Sequence, residues 1–388
     1  MDLSLGPEHE ALRAEARAFL EAHRAVSVTE REEMADRART LAWQRLLVEH
    51  GYAAREVPSE YGGFGAAADP LAELVIQQEF ARAGISTGLR NQGIDMFVPT
   101  ALRYGTEEQK RRFVPPTLRG ELIWCQGYSE PGAGSDLASL RTAARVDGDD
   151  YVVDGHKIWT STAKQAHWMF ALVRTDPDAV RSGKKHAGIT YLVLPMTTPG
   201  IEVRPLRTMT GEAIFNEVFF TGVRVPRENV IGQPGQGWEV ATYLLRFERG
   251  MLGSPLYSRR LFRGCVDVLR DAGKLGDTLF LDRLMRLEAR LLAMEHHGMR
   301  LLTDRIERRE SGVSGLIVKL VGCQLNYDIC RLAIDAMGVR GLLRRGAPSA
   351  VDDGFWQDTA MMSLGLIIGG GTAQIQKNII AEAGLGLP

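Results

Sequence analysis

Trp124-Cys-Gln-Gly-Tyr-Ser-Glu-Pro-Gly-Ala-Gly-Ser-Asp-Leu137 is the stretch on which the reading of this chain turns. Tyr128 and Ser129 supply hydroxyls at the end of a short apolar-polar run. Pro131 to Gly134 then force a compact bend, with Ser135 and Asp136 on its exit side. Polar groups able to hold a heterocycle thus lie against a glycine-rich turn, and a plain polar turn between strand and loop is the alternative.

Working outward, residues 121 to 231 read as strands. Tyr151-Val-Val and Lys157-Ile-Trp-Thr-Ser flank Asp154-Gly155, a hairpin signal. Trp168-Met-Phe-Ala-Leu-Val, Ile189-Thr-Tyr-Leu-Val-Leu, Ile201-Glu-Val-Arg and Glu217-Val-Phe-Phe continue an all-β module. Residues 1 to about 120 are helical in period, with Pro7 near the first start and Thr106 as a cap, and Pro115-Pro116 is expected to stop the last helix. After the loop Gly232-Gln-Pro-Gly-Gln-Gly237 the pattern returns to helices at 238 to 252, 278 to 309, 315 to 337 and beyond Gly371. The fold class is α+β: a helical domain over 1–120, a β-barrel-like domain over 121–231 and a helical bundle over 232–388.

The chain has 388 residues, 45% hydrophobic and 24% charged, with a formal net charge of −1. That is ordinary globular composition, with no general pull toward nucleic acid or an anionic membrane. Four cysteines form no C-x-x-C pair, so neither zinc nor a disulfide framework is indicated. No 18-residue apolar run and no signal-peptide pattern is present, and the expected location is the cytoplasm.

A carboxylate stands in an apolar stripe. Trp238, Ala241, Leu245, Glu248 and Leu252 are spaced by three and four, so they share one helical face. Glu248 is either a general base whose pKa desolvation raises or half of a structural ion pair with Arg249. Gly369 to Gly371 allow close backbone approach ahead of a helix start that suits an anionic group, or else form a simple turn.

Ser129-Glu-Pro-Gly-Ala-Gly-Ser-Asp136 resembles the T/S-E-P-x-A-G-S-D signature of the acyl-CoA dehydrogenase family, and the order helices, β module, helices resembles its layout. The resemblance spans essentially the whole chain. It implies FAD as cofactor and oxidation of an acyl-CoA to its trans-2-enoyl-CoA, with the α-proton taken by a glutamate and the β-hydride by flavin N5. Gln126, Tyr128, Ser129, Gly134 and Ser135 match flavin-contacting positions, as do Trp159, Thr160 and Ser161 of the W-x-T/S strand, and Thr372 and Gln374 of the G-T-x-x-I-Q motif. Ser135, Arg246, Arg249, Gly370 and Gly371 match substrate-side positions. In this family the catalytic glutamate occupies one of two places. One directly precedes the G-T of Gly371-Thr-Ala-Gln-Ile-Gln376, and here it is Gly370; the other is the E-R pair matched by Glu248-Arg249. The resemblance therefore assigns the base to Glu248, as in isovaleryl- and long-chain-type members. It also implies that the backbone N–H at 370, together with the ribityl hydroxyl, polarises the thioester carbonyl.

Two motifs that reach a partner subunit's FAD are altered. Arg270-Asp-Ala-Gly273 stands for R-x-x-F-G, and Asp335-Ala-Met-Gly-Val-Arg-Gly341 stands for Q-x-x-G-G-x-G. Similar erosion accompanies actinobacterial relatives that work as mixed tetramers. The implied partners are an acyl-CoA, an electron-transfer flavoprotein or similar acceptor, and either further copies of the chain or a related subunit. Two rival readings stay open: a catalytically silent partner subunit, and a monooxygenase or nitroalkane-oxidase-like flavoprotein on the same fold. His296-His297 read as solvated or packing residues, and Arg344-Arg345 as a surface loop or a contact for a CoA phosphate.

Overall fold

The structure, a computed structural model, describes residues 5–29, 32–33, 35–310 and 312–388, and only the backbone of residues 249–251. The chain forms two compact units, one of residues up to Leu206 with Ala213–Leu244, the other of Arg207–Glu212 with Leu245–Pro388.

Among the described residues the first unit opens with five α-helices. α1 (Pro7–Ala22) starts with proline at its first position, where the missing N–H costs nothing. α2 (Arg37–Glu49) and α3 (Pro70–Ala83) begin on Asp36 and Asp69, whose carboxylates accept first-turn N–H groups. α4 spans Val98–Tyr104, and α5 (Glu107–Leu118) starts on a reciprocal Thr106–Gln109 capping box. Phe19, Leu20, Trp43, Leu47, Ile76 and Phe80 form the buried contact between α1, α2 and α3.

Pro115 and Pro116 do not end α5, contrary to the sequence reading. They sit in its last turn, where the carbonyls they leave without a helical N–H belong to exposed Arg111 and Arg112 and can turn to water. Thr117 Oγ1 takes the next carbonyl, Phe113, at 2.6 Å.

Seven strands follow: β1 (Trp124–Gly127), β2 (Ala143–Asp147), β3 (Asp150–Ser161), β4 (Trp168–Arg174), β5 (Ile189–Pro195), β6 (Ile201–Leu206) and β7 (Phe215–Pro226). One short helix, α6 (Asp178–Arg181), lies between β4 and β5. The strands make one curled sheet in the order β1-β4-β2-β3-β7-β6, with β5 also on β4. Val153, Met169, Ala171, Val173, Leu192, Leu194 and Val218 fill its buried face. Trp124 joins this sheet to the helices, its ring stacked on Phe97 at 3.7 Å and edge-on to Phe113 at 5.5 Å.

Asp154-Gly155 is not a hairpin turn. β3 runs straight through it, with a register shift against β7 between Val153 and Gly155. A Cβ at Gly155 would lie 2.5 Å from Thr142 Oγ1, so glycine serves a bulge and a close strand approach. The β2–β3 turn falls one Asp-Gly pair earlier, closing at the pair Asp147–Asp150 around Gly148 (φ +63°).

α7 (Gly237–Met251) carries Glu248. In the second unit α8 (Pro255–Asp271), α9 (Thr278–Ile306), α10 (Ser314–Met337), α11 (Phe355–Ile368) and α12 (Ala373–Ile379) follow. α10 is central, packing on α8, α9 and α11, and Phe262, Leu269, Leu291, Leu325, Ile329 and Trp356 are in the core. Among the described residues no helix is long and apolar enough to cross a membrane.

Candidate active site

In the first unit the 124–137 segment builds a wall. Glu130 and Ala133 exchange backbone hydrogen bonds of 2.9 and 3.0 Å, closing the bend over Pro131-Gly132. Upstream of that turn, the Ser129 carbonyl accepts the Ile158 N–H at 2.9 Å, which brings Gln126, Tyr128 and Ser129 beside Trp159, Thr160 and Ser161. Gly134 and Ser135 lie exposed beyond the turn.

Trp159 is held in the left-handed region (φ +61°) at a second β3–β7 register shift, and its side chain is 58% exposed. An aromatic residue at positive φ costs on the order of 1–3 kcal/mol, so the bulge and its pairing hold it there. Next to it Thr160 is buried, and its Oγ1 has no hydrogen-bond partner among the described residues. A presented indole beside an unsatisfied buried hydroxyl suits a planar, hydrogen-bonding heterocycle. The residues present thus fit an isoalloxazine.

Two residues outside the expected flavin and substrate contacts support this wall. Lys157, fully buried, donates to Glu130 Oε1 at 2.8 Å and to the Tyr128 carbonyl at 3.0 Å. Glu130 also accepts the N–H groups of Arg141 (2.6 Å) and Thr142 (2.9 Å). Burial alone would raise the Glu130 pKa, but the Lys157 ammonium and these donors hold it below the usual carboxylate range. The available signal was the phase of β3: Tyr151, Val153 and Lys157 all fall on its buried side, and a cation there demands an anion. A surface cleft of about 370 Å³ lined by Thr106, Arg112, Tyr151, Arg227 and Pro234 contains none of the wall residues.

In the second unit Glu248 is half-buried and meets the glycine turn. A Cβ built on Gly370 would lie 3.5 Å from Glu248 Oε1 and 2.7 Å from Leu252 Cδ1. The carboxylate therefore stands in van der Waals reach of position 370, while Leu252 fills the space that a Cβ there would enter. Gly370 (φ +65°) and Gly371 (φ +96°) both need glycine's freedom. Gln376, buried, donates to the Gly370 carbonyl at 3.1 Å. Thr372 caps α12 by accepting the Ile375 N–H, while Gln374 and Arg246 are exposed. The Arg249 side chain lies outside the described residues. Replacing Gly370 with alanine should strain the left-handed turn and push Leu252 aside, which shifts the Gly370 N–H. We expect at least about a tenfold loss of turnover with bound flavin unchanged, read by steady-state kinetics beside the visible spectrum.

Elsewhere in this unit, Arg344 reaches the Thr210 carbonyl, and Arg345 pairs with Asp358 at 3.1 Å and Glu212 at 3.4 Å. His297 Nε2 lies 2.9 Å from the Ser314 carbonyl, and no group of three or more metal-ligating side chains occurs among the described residues.

Family models for the acyl-CoA dehydrogenase N-terminal, middle and C-terminal domains match residues 6–121, 125–223 and 235–385 in turn. The chain belongs to the acyl-CoA dehydrogenase family. Members are FAD-dependent oxidoreductases acting on the CH–CH bond of acyl-CoA thioesters, and the cofactor is FAD. The acyl-CoA dehydrogenase IpdE1 of Mycobacterium tuberculosis is 37% identical over 349 residues, covering 89% of this chain and 88% of that protein. The solved Tcur3481-Tcur3483 steroid acyl-CoA dehydrogenase superposes with TM-score 0.82 at 32% identity, covering all of both chains. The ChsE4-ChsE5 complex from Mycobacterium tuberculosis gives TM-score 0.80 at 33% identity, again over all of both chains.

Proposed function

We propose that this acyl-CoA dehydrogenase converts an acyl-CoA to its trans-2-enoyl-CoA with Glu248 as the base. The observation that carries the reading is the Glu248 carboxylate standing against Gly370, the family's alternative base position, which has no side chain here. Glu248 removes the α-proton, and the Gly370 N–H donates to the thioester carbonyl as negative charge develops on it. FAD, when bound, supplies the acceptor for the β-hydrogen and its electron pair, so the carbon chain loses both hydrogens and gains the double bond. Trp159 and the buried Thr160 hydroxyl offer the flavin a flat face and a polar contact. An electron-transfer flavoprotein is the proposed onward acceptor.

The substrate class we propose is a steroid side-chain thioester, supported by the likeness to the steroid enzyme over the full chain. Anaerobic titration with straight-chain, branched and steroid side-chain CoA thioesters tests it. The steroid thioester should bleach the flavin at the lowest concentration, and preferential bleaching by straight-chain thioesters would refute the assignment.

We further propose assembly with a related subunit. Asp335 replaces the family's glutamine and is bound by Arg283 at 2.7 Å, and Arg270 is bound by Asp267. Both positions that would reach a partner's FAD are thus engaged in internal ion pairs. The likeness to a two-protein complex points the same way. Purified alone, the chain should carry less flavin per protomer than when co-expressed with a related subunit; full flavin occupancy alone would contradict this.

A further inference from the structure

Lys319 is 1% exposed on α10, and its ammonium donates to two main-chain carbonyls, Ile367 at 2.8 Å and Gly371 in a short contact. The Ile367 carbonyl lies in the last turn of α11, where carbonyls lack helical partners and the helix dipole is negative. The Gly371 carbonyl lies on the far side of the turn that contains Gly369 and Gly370. One buried cation therefore staples both ends of a run of three glycines. Such a run has little conformational preference of its own, so the direction of the Gly370 N–H must be imposed from outside.

The same face of α10 also meets the turn that follows α7. Gly322, three residues on from Lys319, approaches the backbone of Gly253 so closely that a Cβ on Gly322 would lie 2.2 Å from the Gly253 carbonyl oxygen. Gly253 follows the end of α7 by two residues. One rigid helix thus references both the segment bearing Glu248 and the turn bearing Gly370.

We propose that Lys319 is a positioning residue for the carbonyl-polarising N–H of Gly370. This rests on the reading of Gly370 as a thioester contact. Through the Ile367 and Gly371 carbonyls Lys319 sets where the donor points, and a displacement of about 1 Å in such a donor can cost about a hundredfold. Loss of the staple weakens enolate stabilisation while leaving flavin binding by the first unit's wall intact.

The test uses the flavin-loaded protein, with its partner subunit if one is required, and acetoacetyl-CoA, whose enolate is seen by its ultraviolet absorbance. The wild type should bind it and lower its apparent pKa. Lys319→Met should bind it with about tenfold less enolate at a fixed pH, with flavin content unchanged. Hydrogen exchange should quicken for the amides of residues 369–372 and stay unchanged in α8 and α9. Should the methionine variant fail to fold, Lys319→Gln, which keeps an amide donor without the charge, should shift ionisation in the same direction. Variants that fold and ionise acetoacetyl-CoA as the wild type does would overturn the role of Lys319. A wild type that binds the probe without ionising it would overturn the reading of the site itself, and the inference with it.

Discussion

Glu248→Gln is expected to abolish useful turnover while leaving the protein yellow. The amide matches the carboxylate in shape, so the packing against Gly370 and Leu252 persists. What disappears is the carboxylate proposed to accept the α-proton. General-base removal costs about 10²–10⁴-fold, and the loss should appear in the rate of flavin reduction under single-turnover conditions. Binding of the acyl-CoA should change far less, because the glutamine still fills the same volume. A variant that retained full turnover would favour oxygen chemistry on this fold, which needs no such base.

The second large effect is expected at the Lys157–Glu130 pair. Its two members are 0% and 7% exposed, so removing one leaves the other charge buried and uncompensated. That costs about 3–5 kcal/mol, enough to consume much of a domain's net stability. Lys157→Met should therefore lower the melting temperature by several degrees. It should also release flavin, since the same ammonium holds the Tyr128 carbonyl. The pH dependence has a defined sign. Glu130 titrates lower in the folded protein than in the unfolded chain, so its stabilisation is complete above the ordinary carboxylate range. It is lost as pH falls through the lower folded-state value. Melting curves of Glu130→Gln should lack that acid-side component, and a profile identical to wild type would contradict the assignment.

Local signals in the sequence were reliable where the physics was local. The cap at Thr106 and the bend at Pro131-Gly132 lie where side-chain reach and proline geometry put them, the first completed by Gln109 and the second closed by Glu130 and Ala133. Two local signals misled. Asp154-Gly155 has hairpin chemistry, but the close approach of Thr142 uses the glycine as a bulge, while Gly148 makes the turn. Pro115-Pro116 has helix-breaking chemistry, but at the end of a helix only exposed carbonyls lose their partners. The supports of the site were illegible for a different reason. Glu130 and Lys157 are 27 residues apart, and Lys319 reaches carbonyls 48 and 52 residues away. Such contacts come from tertiary packing: the phase of β3 marks Lys157 as buried, but no periodicity names its partner or the carbonyls that Lys319 reaches. The half-buried place of Glu248 was legible in its helical phase, whereas its pairing with the bare glycine at 370 was legible only through the family resemblance.

The most direct measurement of proton removal by Glu248 is α-hydrogen exchange on an acyl-CoA whose β-carbon is quaternary. Such a thioester can lose its α-proton but has no β-hydrogen to give up, so ionisation is seen apart from oxidation. In deuterated buffer the wild-type protein should wash deuterium into the α-position, and Glu248→Gln should slow that exchange by about 10²–10⁴-fold. Equal exchange rates in the two proteins would show that another group takes the proton.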